Sequence, residues 1–134
     1  MSAQIINAAS GEKLAIVLRA NDTSSETIFF SEVQDSLQIG LIATDRIRGI
    51  PRHRHLDYDR SLKKTAEFVL IRKGACKVYL QMFEYDEPIV VSLAKGDGIL
   101  LLEGIHGFES IEEDLHLLEI KQGPYAGNLD KEII

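Results

Sequence analysis

The sequence has few of the residues that stabilise very small or secreted folds. Its 134 residues include one cysteine, three prolines and no tryptophan, and aromatic residues make up 7%. A single cysteine, Cys76, excludes a disulfide bond within the chain and favours the reducing cytoplasm over secretion. A chain of this length buries a hydrophobic core without such cross-links. We therefore expect one domain over residues 1–134.

Long apolar runs and a surplus of positive charge are also missing. No apolar run approaches the roughly 20 residues of a membrane helix, and no charged-then-apolar leader opens the chain. Fifteen Lys and Arg oppose 21 Asp and Glu, which gives a net charge of −6 at pH 7. General nucleic-acid binding needs an excess of basic residues. We expect a cytoplasmic protein that binds neither membranes nor nucleic acids.

Positive charge is concentrated in one segment, residues 45–64. Seven basic residues and three aspartates give it a charge of +4, which leaves −10 for the rest of the chain. Such a cluster concentrates an anionic small molecule without making the whole surface adhesive. We predict that Arg52, Arg54 and Arg60 bind the substrate, because guanidinium groups hold phosphate or carboxylate through paired N–H groups. The alternative is a solvated loop whose charges maintain solubility.

Short apolar runs separated by turn residues predict an all-β protein. No stretch of 11 residues keeps a helical period, so helix is expected only as short pieces near residues 30–35 or the C-terminus. Many short strands at close spacing favour a β-sandwich or a β-barrel. The predicted strands are residues 14–18, 27–30, 37–44, 67–72, 76–83, 89–93, 99–102, 107–111 and 115–120.

Four side chains of metal-binding type are distributed along this pattern. His53 and His55 are two residues apart, so an extended chain places both imidazoles on one face. Glu67 opens the next predicted strand, and His106 follows a glycine near a later one. Three imidazoles and one carboxylate suit Fe, Mn, Ni or Zn and leave positions for water or substrate. The sequence predicts one divalent metal ion held by these four residues.

Each of these residues also has an interpretation without a metal. His53 and His55 could be surface histidines in an arginine-rich loop, and His106 could cap a turn. Glu67 could lie at an exposed strand end, although burial of an unpaired carboxylate would be costly. His116 is interpreted as a histidine of the barrel wall rather than a fifth ligand.

The same residues resemble the two sequence motifs of the cupin superfamily. The first motif is a glycine, His-x-His, and a glutamate six residues before another glycine, and the second is a pair of glycines followed by a histidine. The matching residues are Gly49, His53, His55, Glu67, Gly74, Gly96, Gly104 and His106. The resemblance implies a single-domain β-barrel of jelly-roll type (a double-stranded β-helix), frequently a homodimer, that binds one divalent metal.

Three features depart from the family pattern. Eleven residues rather than three or four separate His55 from Glu67, so residues 56–66 are expected to loop out. Leu102 replaces the proline of the second motif, and the asparagine position is lost. His106 also lies one residue nearer its glycine than is usual.

Two narrower likenesses point to carbohydrate metabolism. Residues 52–55 and 74–80 resemble small cupins that isomerise keto groups on nucleotide-linked sugars with a histidine base and no metal. Those proteins carry glutamine where this chain has Glu67. The tail at residues 119–125 is similar to that of small cupins associated with surface polysaccharide synthesis.

The sequence is therefore compatible with three functions. The first is a metal-dependent enzyme for a small anionic molecule, sugar-like or nucleotide-sugar-like. The second is a metal-free sugar-nucleotide isomerase in which His53 or His55 is the catalytic base. The third is a ligand-binding cupin without enzymatic activity, because one barrel fold hosts many functions. All three imply a small-molecule ligand.

Overall fold

Short strands make up nearly all of the regular structure. The computed structural model describes residues 3–112 and 114–134. Its strands are β1 (Gln4–Asn7), β2 (Lys13–Leu18), β3 (Ile28–Phe29), β4 (Gly40–Leu41), β5 (Glu67–Lys73), β6 (Ala75–Gln81), β7 (Ile89–Ala94), β8 (Gly98–Leu101), β9 (Ile105–Ser110) and β10 (His116–Lys121). Within those ranges the one helical element is a 3-10 turn at Gly127–Leu129. The prediction of an all-β fold is confirmed.

The strands form two larger sheets and one small ribbon. A five-stranded sheet has the order β1-β2-β8-β5-β10, a three-stranded sheet has the order β7-β6-β9, and β3 pairs with β4. Every pair is antiparallel, and strands far apart in the chain become neighbours. Glu67 of β5, for example, lies in register between Leu101 of β8 and Lys121 of β10. The closed jelly-roll barrel remains a prediction.

One hydrophobic core is built from the two larger sheets. Val17, Val69 and Ile99 lie in one register row of the five-stranded sheet and are at most 2% exposed. Val78 and Leu93 enter the same core from the three-stranded sheet. These residues alternate with more exposed ones along β6 and β7, as a period of two requires. Each buried aliphatic side chain contributes about 1.5–3 kcal/mol to folding.

The first half of the chain differs most from the predicted strand pattern. The predicted strands at residues 27–30 and 37–44 are reduced to two residue pairs, β3 and β4, and β1 was not predicted. Residues 30–35 contain no helix. Residues 45–65 contain no strand, and all of their side chains are exposed. None of the helical structure in residues 3–112 and 114–134 has the length and apolar composition required to cross a bilayer.

Candidate functional site

A carboxylate–imidazole pair connects the two larger sheets. Glu67 opens β5 of the five-stranded sheet, and His106 lies in β9 of the three-stranded sheet. Oε1 of Glu67 is 2.9 Å from Nε2 of His106, and the two side chains are 15% and 35% exposed. In β5, Glu67 shares a face with the buried residue Val69. Two of the four predicted metal ligands therefore meet at the edge of the core.

Two residues of β10 extend this pair into a charged cluster. Lys121 lies opposite Glu67, and Glu119 is on the same face of the strand two residues earlier. Glu119 lies close enough to Glu67 for the two carboxyl groups to affect each other's pKa. Nζ of Lys121 is 2.9 Å from Oδ2 of Asp130 and 4.0 Å from Oε1 of Glu119. Sequence reasoning missed Glu119, because only the register between β10 and β5 places it beside Glu67.

The surroundings move the pKa values of the two carboxyl groups apart. The hydrogen bond with His106 lowers the pKa of Glu67 from its ordinary 4.5 to about 2, although burial acts in the opposite direction. The hydrogen bond with Glu67 raises the pKa of Glu119. Glu67 is therefore the stronger acid of the two carboxyl groups, and it is ionised beside the imidazole.

Acid should weaken the fold as Glu67 takes up a proton. A carboxyl group whose pKa is lower in the folded chain contributes stability above its unfolded pKa, and that stability is lost as the pH falls. For Glu67 the affected window runs from 4.5 down to about 2. We expect the urea midpoint to fall more steeply through this window in the wild type than in Glu67→Gln. If the urea midpoints of the two proteins fall equally with pH, the lowered pKa of Glu67 is contradicted.

The two histidines of the first motif lie on the exposed loop of residues 45–65. Their ring centroids are 5.3 Å apart in an edge-to-face arrangement, and Nδ1 of His53 is 2.8 Å from the carbonyl oxygen of Pro51. No three His, Cys, Asp or Glu residues within 3–112 and 114–134 are grouped closely enough to hold a metal ion. The structure therefore assembles the predicted ligands as two pairs, His53 with His55 and Glu67 with His106.

The predicted substrate-binding arginines lie on the same loop. Arg52, Arg54 and Arg60 are all exposed. The guanidinium carbon of Arg60 is 3.8 Å from the centroid of the Tyr58 ring, a cation–π contact. Such stacking orders the arginine and leaves its N–H edge available for an anion.

The donor atoms of the Glu67–His106 pair are spaced as neighbouring ligands of one ion would be. Two donors that lie about 2.1 Å from a metal, at a right angle, are about 3 Å apart. The observed separation of Oε1 and Nε2 is 2.9 Å. Glu67 and His106 can therefore supply two of the four predicted metal ligands. The other half requires the loop that carries His53 and His55 to approach it.

Comparisons with known proteins give no relatives for this chain. No protein-family model, no curated protein and no solved structure matches it.

Proposed function

We propose that this protein is a cupin-type metal-binding protein that acts on a small, anionic, sugar-like ligand. The observation that carries the proposal is the pair formed by Glu67 and His106, 2.9 Å apart on strands of two different sheets. The pair supplies one carboxylate oxygen and one imidazole nitrogen, which are donor types that divalent transition metals prefer. The order of the motif residues supports a jelly-roll barrel around this pair.

The exposed loop completes the site in this proposal. His53 and His55 are the further ligands, and they reach the pair by an inward movement of residues 45–65, whose exposed side chains offer little packing resistance. A bound divalent metal supplies Lewis-acid polarisation of a ligand oxygen. Glu67 and His106 would hold the ion.

Metal titration tests the proposal directly. We expect chelator-treated protein to bind about one equivalent of Mn²⁺, Ni²⁺ or Zn²⁺ in a calorimeter. Glu67→Gln and His106→Gln should weaken binding by at least the roughly tenfold to 100-fold that loss of a supporting residue costs. The double variant His53→Gln/His55→Gln should also lose affinity, because the loop supplies the other ligands.

The matched control for this titration is His116→Gln. His116 is an exposed histidine at the start of β10 and forms no part of the pair. Its substitution should leave the metal affinity within about twofold of the wild type. Absence of binding for all four metals, iron included, would overturn the proposal, as would equal affinity in the wild type and Glu67→Gln.

A metal-free proton-transfer enzyme is the second candidate function. It is favoured by the direct contact of Glu67 with Nε2 of His106. A carboxylate that accepts a hydrogen bond from Nε2 fixes the ring tautomer and leaves Nδ1 free to accept a proton from a ligand. The base would then be His106 rather than His53 or His55. This candidate expects no metal binding in the same titration, together with solvent deuterium exchange into a keto-sugar nucleotide.

A further inference from the structure

A polar cleft with three lysines lies where several distant parts of the chain meet. Its volume is about 330 Å³. The walls are formed by residues 34–36, 61–64 and 102–103, together with the side chain of Lys13. Three ammonium groups and the carboxylates of Asp35 and Glu103 line it, so positive charge is in excess by one. The arginines predicted to bind substrate do not line this cleft.

Two of the three lysines are held in position by carboxylates. Nζ of Lys13 is 2.6 Å from Oδ2 of Asp35, and both side chains are less than 20% exposed. The same oxygen accepts a hydrogen bond of 2.8 Å from the backbone N–H of Glu32, which fixes the carboxylate. Lys64 is paired with Glu103 across the cleft. A ligand that binds here therefore loses less side-chain entropy than at a set of free lysines.

The third lysine, Lys63, has its charge available. It forms no ion pair with any residue in the ranges that the structure describes. An ammonium group has three N–H donors, so Lys13 and Lys64 also keep donors beyond their carboxylate contacts. Lysine acts as a point charge and is a common phosphate-binding residue, as is arginine with its fork of N–H groups. A space of this size with three lysines around it therefore suits a phosphate group.

The cleft is connected to the Glu67–His106 pair by covalent and hydrogen bonds. Nε2 of Gln122 donates to the carbonyl oxygen of Ser36 in the cleft wall, at 3.1 Å. Oε1 of Gln122 accepts from the backbone N–H of Ala66, next to Glu67, at 2.7 Å. In addition, Lys64 and Glu103 each lie three residues before one member of the pair. Both strands that carry the pair therefore begin at this cleft.

We propose that this cleft binds a phosphate group of the ligand through Lys13, Lys63 and Lys64. Its volume corresponds to roughly ten water molecules, which leaves room for a phosphate and a small attached group. The assignment of that phosphate to the substrate rests on the proposed function. The affinity of the cleft for phosphate does not depend on the proposed function and is measured separately.

Titration with inorganic phosphate at low ionic strength tests the cleft. In ¹⁵N-labelled wild type we expect saturable shifts at the amides of residues 61–64 and 102–103. The double variant Lys63→Gln/Lys64→Gln should bind phosphate at least tenfold more weakly. Arg46→Gln/Arg48→Gln is the matched control, because it removes the same charge from the same segment at exposed residues that do not line the cleft, and its affinity should stay within twofold of wild type.

Three results would overturn the inference. They are the absence of saturable binding in the wild type, equal weakening in both double variants, and weakening in the arginine variant alone. Circular dichroism checks that each variant is folded. If the lysine double variant does not fold, Lys63→Met gives the test, because it removes only the lysine without an ion-pair partner.

Measuring both phosphate and metal affinity in Glu67→Gln distinguishes a failure of the cleft proposal from a failure of the metal proposal. Its phosphate affinity should equal that of the wild type, because Glu67 does not line the cleft. Absence of metal binding in the wild type, with phosphate binding intact, would overturn the metal proposal alone. Metal binding at Glu67 without any phosphate affinity would overturn the cleft alone.

Discussion

Asp97→Ala should lower the free energy of unfolding by about 3 kcal/mol. Asp97 is 8% exposed, and it is the one charged residue among the buried residues that the structure describes. Its carboxylate accepts hydrogen bonds of 2.9 Å from the backbone N–H groups of Ala20 and Ala94, and one of 3.2 Å from Arg19 Nη1. Alanine would leave both backbone donors without an acceptor, which accounts for most of the expected loss.

The control for this prediction is Arg19→Gln. The Arg19 side chain is 44% exposed, so its ion pair with Asp97 is screened by solvent. We expect Arg19→Gln to change the free energy of unfolding by no more than about 1 kcal/mol. Urea unfolding followed by far-UV circular dichroism measures both variants. A smaller loss in Asp97→Ala than in Arg19→Gln would contradict the role of the backbone contacts.

The position of Asp97 explains why one carboxylate has this effect. It lies in the turn between β7 and β8, and the backbone of that turn also bonds to β5. The N–H of Ile71 donates to the carbonyl of Asp97, and the N–H of Gly96 donates to the carbonyl of Ile71. The side chain adds the segment that directly follows β2, through the N–H of Ala20. Four strands of the fold are therefore joined at a single turn.

The turn was predictable from sequence, but the burial of its aspartate was not. Lys95-Gly-Asp-Gly98 has the composition of an ordinary exposed turn. The partners of Asp97 include Ala20, which is 77 positions away in the chain. A local sequence pattern cannot predict a contact between residues so far apart in the chain. The same reason explains why Glu119, which meets Glu67 through strand register alone, was not recognised as part of the site.

Strand prediction succeeded where apolar residues are buried in the core and failed at residues 27–30 and 37–44, where no residue is buried. The predicted strands at residues 67–72 and 99–102 agree within one residue with Glu67–Lys73 and Gly98–Leu101. Both lie in the five-stranded sheet, where burial enforces the pattern. The sequence Gln4-Ile-Ile-Asn7 has only two apolar residues, so β1 depends on its pairing with β2.

The two pairs of predicted metal ligands differ in the same way. Glu67 and His106 belong to strands whose pairing is fixed by the core, and their side chains lie 2.9 Å apart. His53 and His55 belong to the polar loop of residues 45–65, whose side chains are all exposed. The sequence of such a loop holds no periodic signal that fixes its path. The joining of the two pairs therefore remains a prediction of the motif.

Gly104→Ala should destabilise the fold by about 3 kcal/mol or more and displace His106. Gly104 has φ of +86°, in the region that side chains avoid. A Cβ at this position would lie 2.5 Å from the carbonyl oxygen of Gln81 and 2.9 Å from Cδ2 of Leu14. The first neighbour is backbone and cannot rotate away, so the turn that leads into β9 must move. That strand carries His106 two residues later.

Gly107→Ala is the matched control, on the other side of His106. Gly107 does not have a positive φ, and no heavy atom lies within 4 Å of the Cβ that alanine would add. We expect it to change the free energy of unfolding by less than about 1 kcal/mol.

If Gly104→Ala folds, its acid sensitivity between pH 4.5 and about 2 should resemble that of Glu67→Gln, because the displaced imidazole no longer lowers the pKa of Glu67. Unchanged stability together with a wild-type acid profile would show that His106 does not depend on the backbone conformation of Gly104.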